Sequence, residues 1–263
     1  MTAWQKLDDE LDAWRAAGRC ATLWCRDDDA CRDSPALQRL LGIAQGADVP
    51  VAIAVIPAAL EPDLVGAVAR SGIATVVQHG YAHRNHAPSG ERNRELGSHR
   101  PLSVTAAELE QGNGILRSSF GERFAAVLVP PWNRIDAGVV ARLARVGFHG
   151  LSSLGPRAAV HPVPGIVQCN VHVDLIAWRR DRAFIGVDAA VDRLVEHLRA
   201  RRDGSEDASE PSGILTHHLD MSEAGWQFVA DLMGRSRKHG AVWLDVHTMF
   251  GASDRAGVTS GRA

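Results

Sequence analysis

Apolar residues recur along this chain in two alternating rhythms. Short unbroken runs rich in Val, Ile, Leu and Ala occupy 21–25, 49–56, 73–78, 124–129, 148–152, 213–216 and 241–244. Residues buried on both faces of a sheet read this way, so each run predicts a strand. The stretch 166–178 holds one or two more. Between the runs, apolar residues take helical spacing and predict helices at 35–45, 61–71, 105–119, 136–146, 187–201 and 222–238. Ser34-Pro35 marks one helix start, and Thr105-Ala106-Ala107-Glu108 has the spacing of a capping box at another. Ahead of them, residues 1–19 place Trp4, Leu7, Leu11 and Trp14 on one helical face.

Strands that alternate with amphipathic helices predict a parallel sheet covered by helices, an α/β fold. No composition break divides the chain, and about seven such units in one domain predict a single barrel. The expected division is an N-terminal helix packed on the barrel (1–20), the barrel itself (21–251) and a frayed tail (252–263). In such a barrel the chemistry sits where strands run into their C-terminal loops. Polar clusters stand at those places: Arg26 to Asp29, His79 to His86, Pro130 to Arg134 and His217-His218. The loop 79–100 is long enough to be functional.

Charge narrows the partners. With 29 basic and 31 acidic residues the formal net charge is −2, which offers no basic field for nucleic acid or anionic membrane. No apolar run is long enough to span a bilayer. The acidic N-terminal stretch lacks the basic start and apolar core of a signal peptide, so a cytoplasmic location is expected. Cys20, Cys25, Cys31 and Cys169 form no C-x2-C pair and are expected as free buried thiols.

His79 and His83, four residues apart past a strand end, can converge on one metal ion; a polar loop with solvated imidazoles is the plain alternative. Asp27-Asp28-Asp29 would repel one another at a crowded strand end unless a cation compensates; a solvated turn or helix cap is the alternative there. A divalent ion held by one carboxylate and two imidazoles keeps positions open for water and a substrate carbonyl. A second carboxylate can act as base, and His217 across the pocket can protonate a leaving amine. Tyr81 and Trp132 can wall such a pocket. His218 competes with His217, because a slip of one residue reverses a strand's faces. His172 and Asp174 alternate on one strand face, which either lines the pocket or faces solvent.

From Thr22 to His218 the chain resembles the polysaccharide deacetylase superfamily, the NodB-homology or carbohydrate esterase family 4 group. The motifs carrying the resemblance are Arg26-Asp27-Asp28-Asp29, His79-Gly80-Tyr81-Ala82-His83, Val129-Pro130-Pro131-Trp132-Asn133 and Leu215-Thr216-His217, with a weaker echo from Asp174 to Trp178. The resemblance implies a single distorted (β/α)7 barrel of the NodB type. It implies Asp28 as general base, and Asp29, His79 and His83 as ligands of one divalent metal. Zinc suits these ligands best, with cobalt or nickel possible. Tyr81, Pro131, Trp132 and Asn133 fall where substrate would bind. Three departures stand out. Gly80 replaces a hydroxyl residue, Val129 stands where the family has Arg, and Asn133 where it has Gly. Arg26 or Arg134 is then left to partner the base, with Asp27, His218, His172 and Asp174 as supporting candidates.

The implied function is metal-dependent hydrolysis of a non-peptide C–N bond, deacetylating an amino sugar or related small amide. A small-molecule or saccharide substrate is expected, with neither nucleic acid nor membrane as partner. Two alternatives stand beside it. One is a binding protein on a deacetylase-like barrel that has lost catalysis. The other is a metal-dependent hydrolase of esters or phosphoesters, which should show a second metal site near His172 and Asp174.

Overall fold

The structure, a computed structural model, describes residues 2–251; the expected frayed tail lies outside them. Nine strands form one sheet in the order β6-β5-β4-β3-β2-β1-β8-β7, with β9 pairing β1 beside that path. They are β1 (Thr22–Ala30), β2 (Val51–Val55), β3 (Ala74–His79), β4 (Phe124–Val129), β5 (Gly150–Leu151), β6 (Val167–Gln168), β7 (Val173–Asp174), β8 (Ser212–Thr216) and β9 (Val242–Trp243). Every pairing of these strands is parallel. The sheet curls into a distorted α/β half-barrel of the NodB type.

The curl is written into the side chains. Along β2, Val51, Ile53 and Val55 point to the layer under the helices, while Ala52 and Ala54 point inward. In β4, Phe124, Ala126 and Leu128 face outward against Ala125, Val127 and Val129 inside. Small residues on the concave face let the strands close around a second, smaller core. Trp24 fills that core, its ring edge-on to Phe250 at 6.4 Å and its indole N–H donating to the Asn170 carbonyl at 2.9 Å.

Seven helices cover the convex face: α1 (Ala3–Ala16), α2 (Pro35–Ala47), α3 (Pro62–Arg70), α4 (Leu102–Phe120), α5 (Ala137–Val140), α6 (Val187–Asp203) and α7 (Glu223–Lys238), while α8 (Val246–Phe250) closes the inner core with Val246 and Phe250. Helix α1 buries Leu7, Leu11 and Trp14, and the Trp14 indole donates to the Leu198 carbonyl on α6. Ser34 caps α2 and Ser222 caps α7, each accepting a backbone N–H three residues on.

Several boundaries depart from the sequence pattern. Helix α4 starts at Leu102, so Thr105 is buried within it rather than capping it, and Pro101 holds the N-cap position. The helix expected after Asp136 shortens to Ala137–Val140 with a 3-10 turn behind it, and the Asp136 carboxylate is engaged by Arg94 instead of capping. Of the cysteines, Cys25 and Cys169 are buried, Cys31 is half-buried and Cys20 is exposed. Among the described residues no helix is long and apolar enough to cross a membrane.

Candidate metal centre and active site

Strand β1 does not stop at Cys25. It runs through the aspartates because β2 and β8 hydrogen-bond it on both sides, with Asp27 opposite Ile53 and Thr216. Side chains alternate along it, and each charged one has found a partner. Arg26 and Asp28 share a face. The guanidinium grips both oxygens of the Asp28 carboxylate, Nε at 2.8 Å and Nη2 at 3.0 Å, and the two side chains are 0% and 2% exposed. Arg26 also donates to Ser152 Oγ at 2.8 Å and to Asn133 Oδ1 at 2.7 Å. Of the two arginines expected as partners of Asp28, Arg26 is the one that pairs with it. Arg134 points elsewhere, to the Asn93 carbonyl.

After Asp28 the backbone breaks step. Asp29 has φ +71°, and the register with β2 shifts between Asp27 and Ala30. The shift turns the Asp29 carboxylate toward His79 and His83, whose Nε2 atoms lie 3.1 and 3.2 Å from its Oδ1. Four non-glycine residues here sit in the left-handed region: Asp29, His83, Trp132 and Asn133. Such backbone costs energy and concentrates where function demands a particular direction. At Asn133 the φ of +55° explains why glycine suits this position. Asn tolerates that region better than most residues, and here its side chain also holds Arg26.

The tautomers favour a cation. His79 Nδ1 lies 3.1 Å from the Val129 carbonyl, which only accepts, so Nδ1 carries the hydrogen. Nε2 then turns its lone pair on Asp29. A nitrogen lone pair facing a carboxylate oxygen is repulsive unless a proton or a metal ion lies between them. The ligand atoms of Asp29, His79 and His83 all lie within 4.8 Å of one another. Their 3.1–3.2 Å contacts approach the edge, about 3.3 Å, of a tetrahedron with ligands at about 2.0–2.1 Å. Burial pushes the Asp29 carboxyl up. The hydrogen bond and charge of His79, with the charges of His83 and His217, outweigh it and hold that carboxyl well below its ordinary value. Burial alone would lower His79, but the Asp28 and Asp29 charges raise it, whereas His83 is lowered by burial and by His79. The residues present fit a divalent ion.

The two histidines after β8 separate. His218 lies behind the site, its Nδ1 2.5 Å from Asp27 Oδ1 and its backbone N–H donating to Oδ2, which also accepts from Thr216 Oγ1. Asp27 and His218 are thus buried against each other. His217 instead lies on the side of Asp29, whose carboxyl feels its charge. Its Nδ1 stands 3.9 Å from Asp174 Oδ1 with no hydrogen-bond partner, and its ring meets Trp178 edge-on at 4.6 Å. Burial raises the Asp174 carboxyl against the pull of His217. Trp132 packs on His83 with ring centroids 4.4 Å apart, and Pro131 lies against Gly80. Tyr81 is half-buried on the turn between the two metal-facing histidines.

His172 does not line the pocket with Asp174. It lies just before β7, two residues ahead of Asp174 and about 7 Å away along the extended chain, and stacks on His197 at 3.5 Å. With Glu210 these form a second group of metal-ligand composition near the opposite end of β8. There the Gly213 amide donates to His172 Nδ1 at 2.9 Å, so Nε2 carries the hydrogen and has no lone pair to offer. The Glu210 carboxylate is itself engaged by the backbone amides of Arg157 and Asn170. The group is a structural knot.

Sequence patterns miss two neighbours of the site. Ser152, which holds Arg26, follows β5 with no motif around it. Trp178, against His217, falls only within the weak echo that begins at Asp174.

No family model matches the chain, and no curated protein matches it. Solved structures do. A T48 deacetylase with substrate superposes with a TM-score of 0.55 at 15% identity, covering 89% of this chain and 93% of its own. A family 4 carbohydrate esterase from Streptomyces lividans, in complex with acetate, gives 0.53 at 15% identity, with 85% and 90% covered. A family 4 pseudoenzyme from Bacillus anthracis gives 0.56 at 13% identity, with 88% and 66% covered. The chain shares the fold of the family 4 deacetylases.

Proposed function

We propose that the protein is a metal-dependent hydrolase that deacylates an amino sugar or a related small amide. The observation that carries this reading is the divergence of two neighbouring carboxylates. Asp28 turns to a buried guanidinium and Asp29 to two imidazoles. A purely structural site has no use for both. Asp29, His79 and His83 would hold one divalent ion, zinc suiting the donor set best. When bound, such an ion polarises an amide carbonyl and lowers the pKa of a coordinated water. Asp28 takes the proton of the attacking water. Arg26, fixed in turn by Ser152 and Asn133, keeps both Asp28 oxygens aimed and leaves each a free lone pair. His217, as imidazolium, delivers a proton to the departing nitrogen and is left neutral, and the carboxylate of Asp174 stands beside the cation that donates. Trp132, packed on His83, and Trp178, edge-on to His217, offer apolar walls to a sugar face or an acyl methyl.

The lapsed-enzyme alternative drew on Val129 and Asn133. Arg26 and Asn133 together restore what those two positions withhold, which favours an active site. The reading is tested by loading metal-free protein with zinc, cobalt or nickel and measuring acetate released from acetylated amines, amino sugars and their nucleotide or lipid-linked forms. Protein that binds no divalent ion and releases no acetate from any of them overturns it.

A further inference from the structure

We propose that Glu95 is a positioning residue of the metal centre, an acidic clasp that shapes the His79–His83 turn so that both imidazoles reach one ion. The inference rests on the metal site proposed above. Glu95 is 1% exposed, yet among the described residues no arginine, lysine or histidine forms an ion pair with it. Its partners are backbone amides. Oε2 accepts from Tyr81 at 3.1 Å, and Oε1 accepts from Ala82 at 2.8 Å and, at the 3.5 Å limit, from Arg84. These amides lie within and immediately after the turn that joins the two histidines. That turn needs left-handed backbone at both Gly80 (φ +54°) and His83 (φ +52°), a shape that local propensity does not favour. A carboxylate accepting several amides compensates for it.

Gly80 and Glu95 imply each other. A Cβ at position 80 would lie 2.0 Å from Glu95 Oε2 and 2.6 Å from the Pro131 ring. Glycine is therefore required because the carboxylate occupies the space, and a hydroxyl side chain at position 80 has no room. The clasp is itself anchored. Leu96 bridges to Ile135 and its carbonyl accepts from the Asp136 amide, while Arg94 pairs with the Asp136 side chain. Glu95 thus ties the histidine turn to the loop bearing Trp132 and Asn133.

The test compares two buried carboxylates of similar chemistry. Glu95→Gln is set against Glu210→Gln, which also loses amide acceptance but at the far end of β8. Zinc affinity of each metal-free protein is measured by competition with a chromogenic chelator, and thermal melting is followed without metal. Glu95→Gln should weaken zinc by about 10–100-fold, and its cobalt absorption spectrum should change. Glu210→Gln should lower the melting temperature while leaving zinc affinity within about twofold of the parent. If Glu95→Gln fails to fold, Glu95→Asp keeps the charge, shortens the reach and should still lose about tenfold. A folded Glu95 variant that binds zinc as the parent does overturns the inference and leaves the proposed function standing. A parent protein that binds no divalent ion overturns both.

Discussion

Arg26 and Asp28, two residues apart on one strand, form a bidentate ion pair sealed from solvent in the middle of the sheet. Breaking a buried pair from one side leaves an uncompensated charge. Arg26→Met should therefore destabilise the protein by about 3–5 kcal/mol, while a bidentate grip lost in Arg26→Lys should cost less stability and still impair turnover. Chemical denaturation and acetate release on the same preparations check both.

Asp28 and Asp29 should fail differently when truncated. Asp29→Ala removes one of three candidate ligands and should lose metal and activity together. Asp28→Ala keeps all three and should retain metal, yet lose turnover by about 10²–10⁴-fold, as removal of a general base does. Metal content and kcat measured on both variants decide this. Loss of metal in Asp28→Ala would exchange the two roles.

Asp27 looks dispensable in the sequence, the spare member of a triple. The structure gives it a fully buried place against His218 and Thr216. Asp27→Ala should leave His218 and a backbone amide without their acceptor and destabilise the fold by about 3–5 kcal/mol. Metal affinity should stay within a few-fold of the parent, and an unchanged melting temperature would contradict the buried pair.

Much of this arrangement can be read from the chain because a parallel sheet declares itself. Continuous apolar runs mark strands buried on both faces, and loops at their C-terminal ends gather the polar clusters. What stays hidden follows from burial that sequence does not display. The charged run from Arg26 to Asp29 looks like a turn, yet period-two alternation along a longer β1 would have paired Arg26 with Asp28. The separation of His217 from His218 needed the end of β8 to be fixed to one residue. His172 falls just ahead of β7 and Asp174 within it, and only the pairing with β8 shows that the first meets the start of β8 and the second its end. Glu95 acts through backbone amides, which leave no trace in residue identities except the glycine at position 80.

His197 gives the fold an acid-sensitive point away from the active site. Burial first, then the neighbouring His172 imidazole and the Arg201 charge, push its imidazole down to about 2. A histidine depressed in the folded state binds fewer protons there than when unfolded. Its stabilising contribution is complete above its ordinary value of 6.5 and is lost progressively as pH falls below that toward about 2. His197→Gln should show a shallower loss of melting temperature between about pH 6.5 and pH 4 than the parent. Parallel melting curves for the two proteins across that range would contradict the neutral buried imidazole.

Asp174 tests the proton donor. Its carboxylate stands 3.9 Å from His217 Nδ1 and is held by the Ile176 amide and the Trp178 indole rather than by the imidazole itself. Two charges about 4 Å apart interact appreciably at a partly buried site. Asp174→Asn keeps the volume and removes that charge, so kcat should fall by about tenfold to a thousandfold while metal content and KM change little. The stability sign runs the other way. Burial raises the Asp174 carboxyl, so the folded protein holds a proton that the unfolded chain has released. Stability therefore declines as pH rises from 3.8 through the raised folded value, and the cost of the buried charge is fully present above it. Asp174→Asn should remove that decline and flatten the melting temperature above pH 4, even as it slows the enzyme. A variant that keeps full kcat would take Asp174 out of the mechanism and leave His217 to act without a partner.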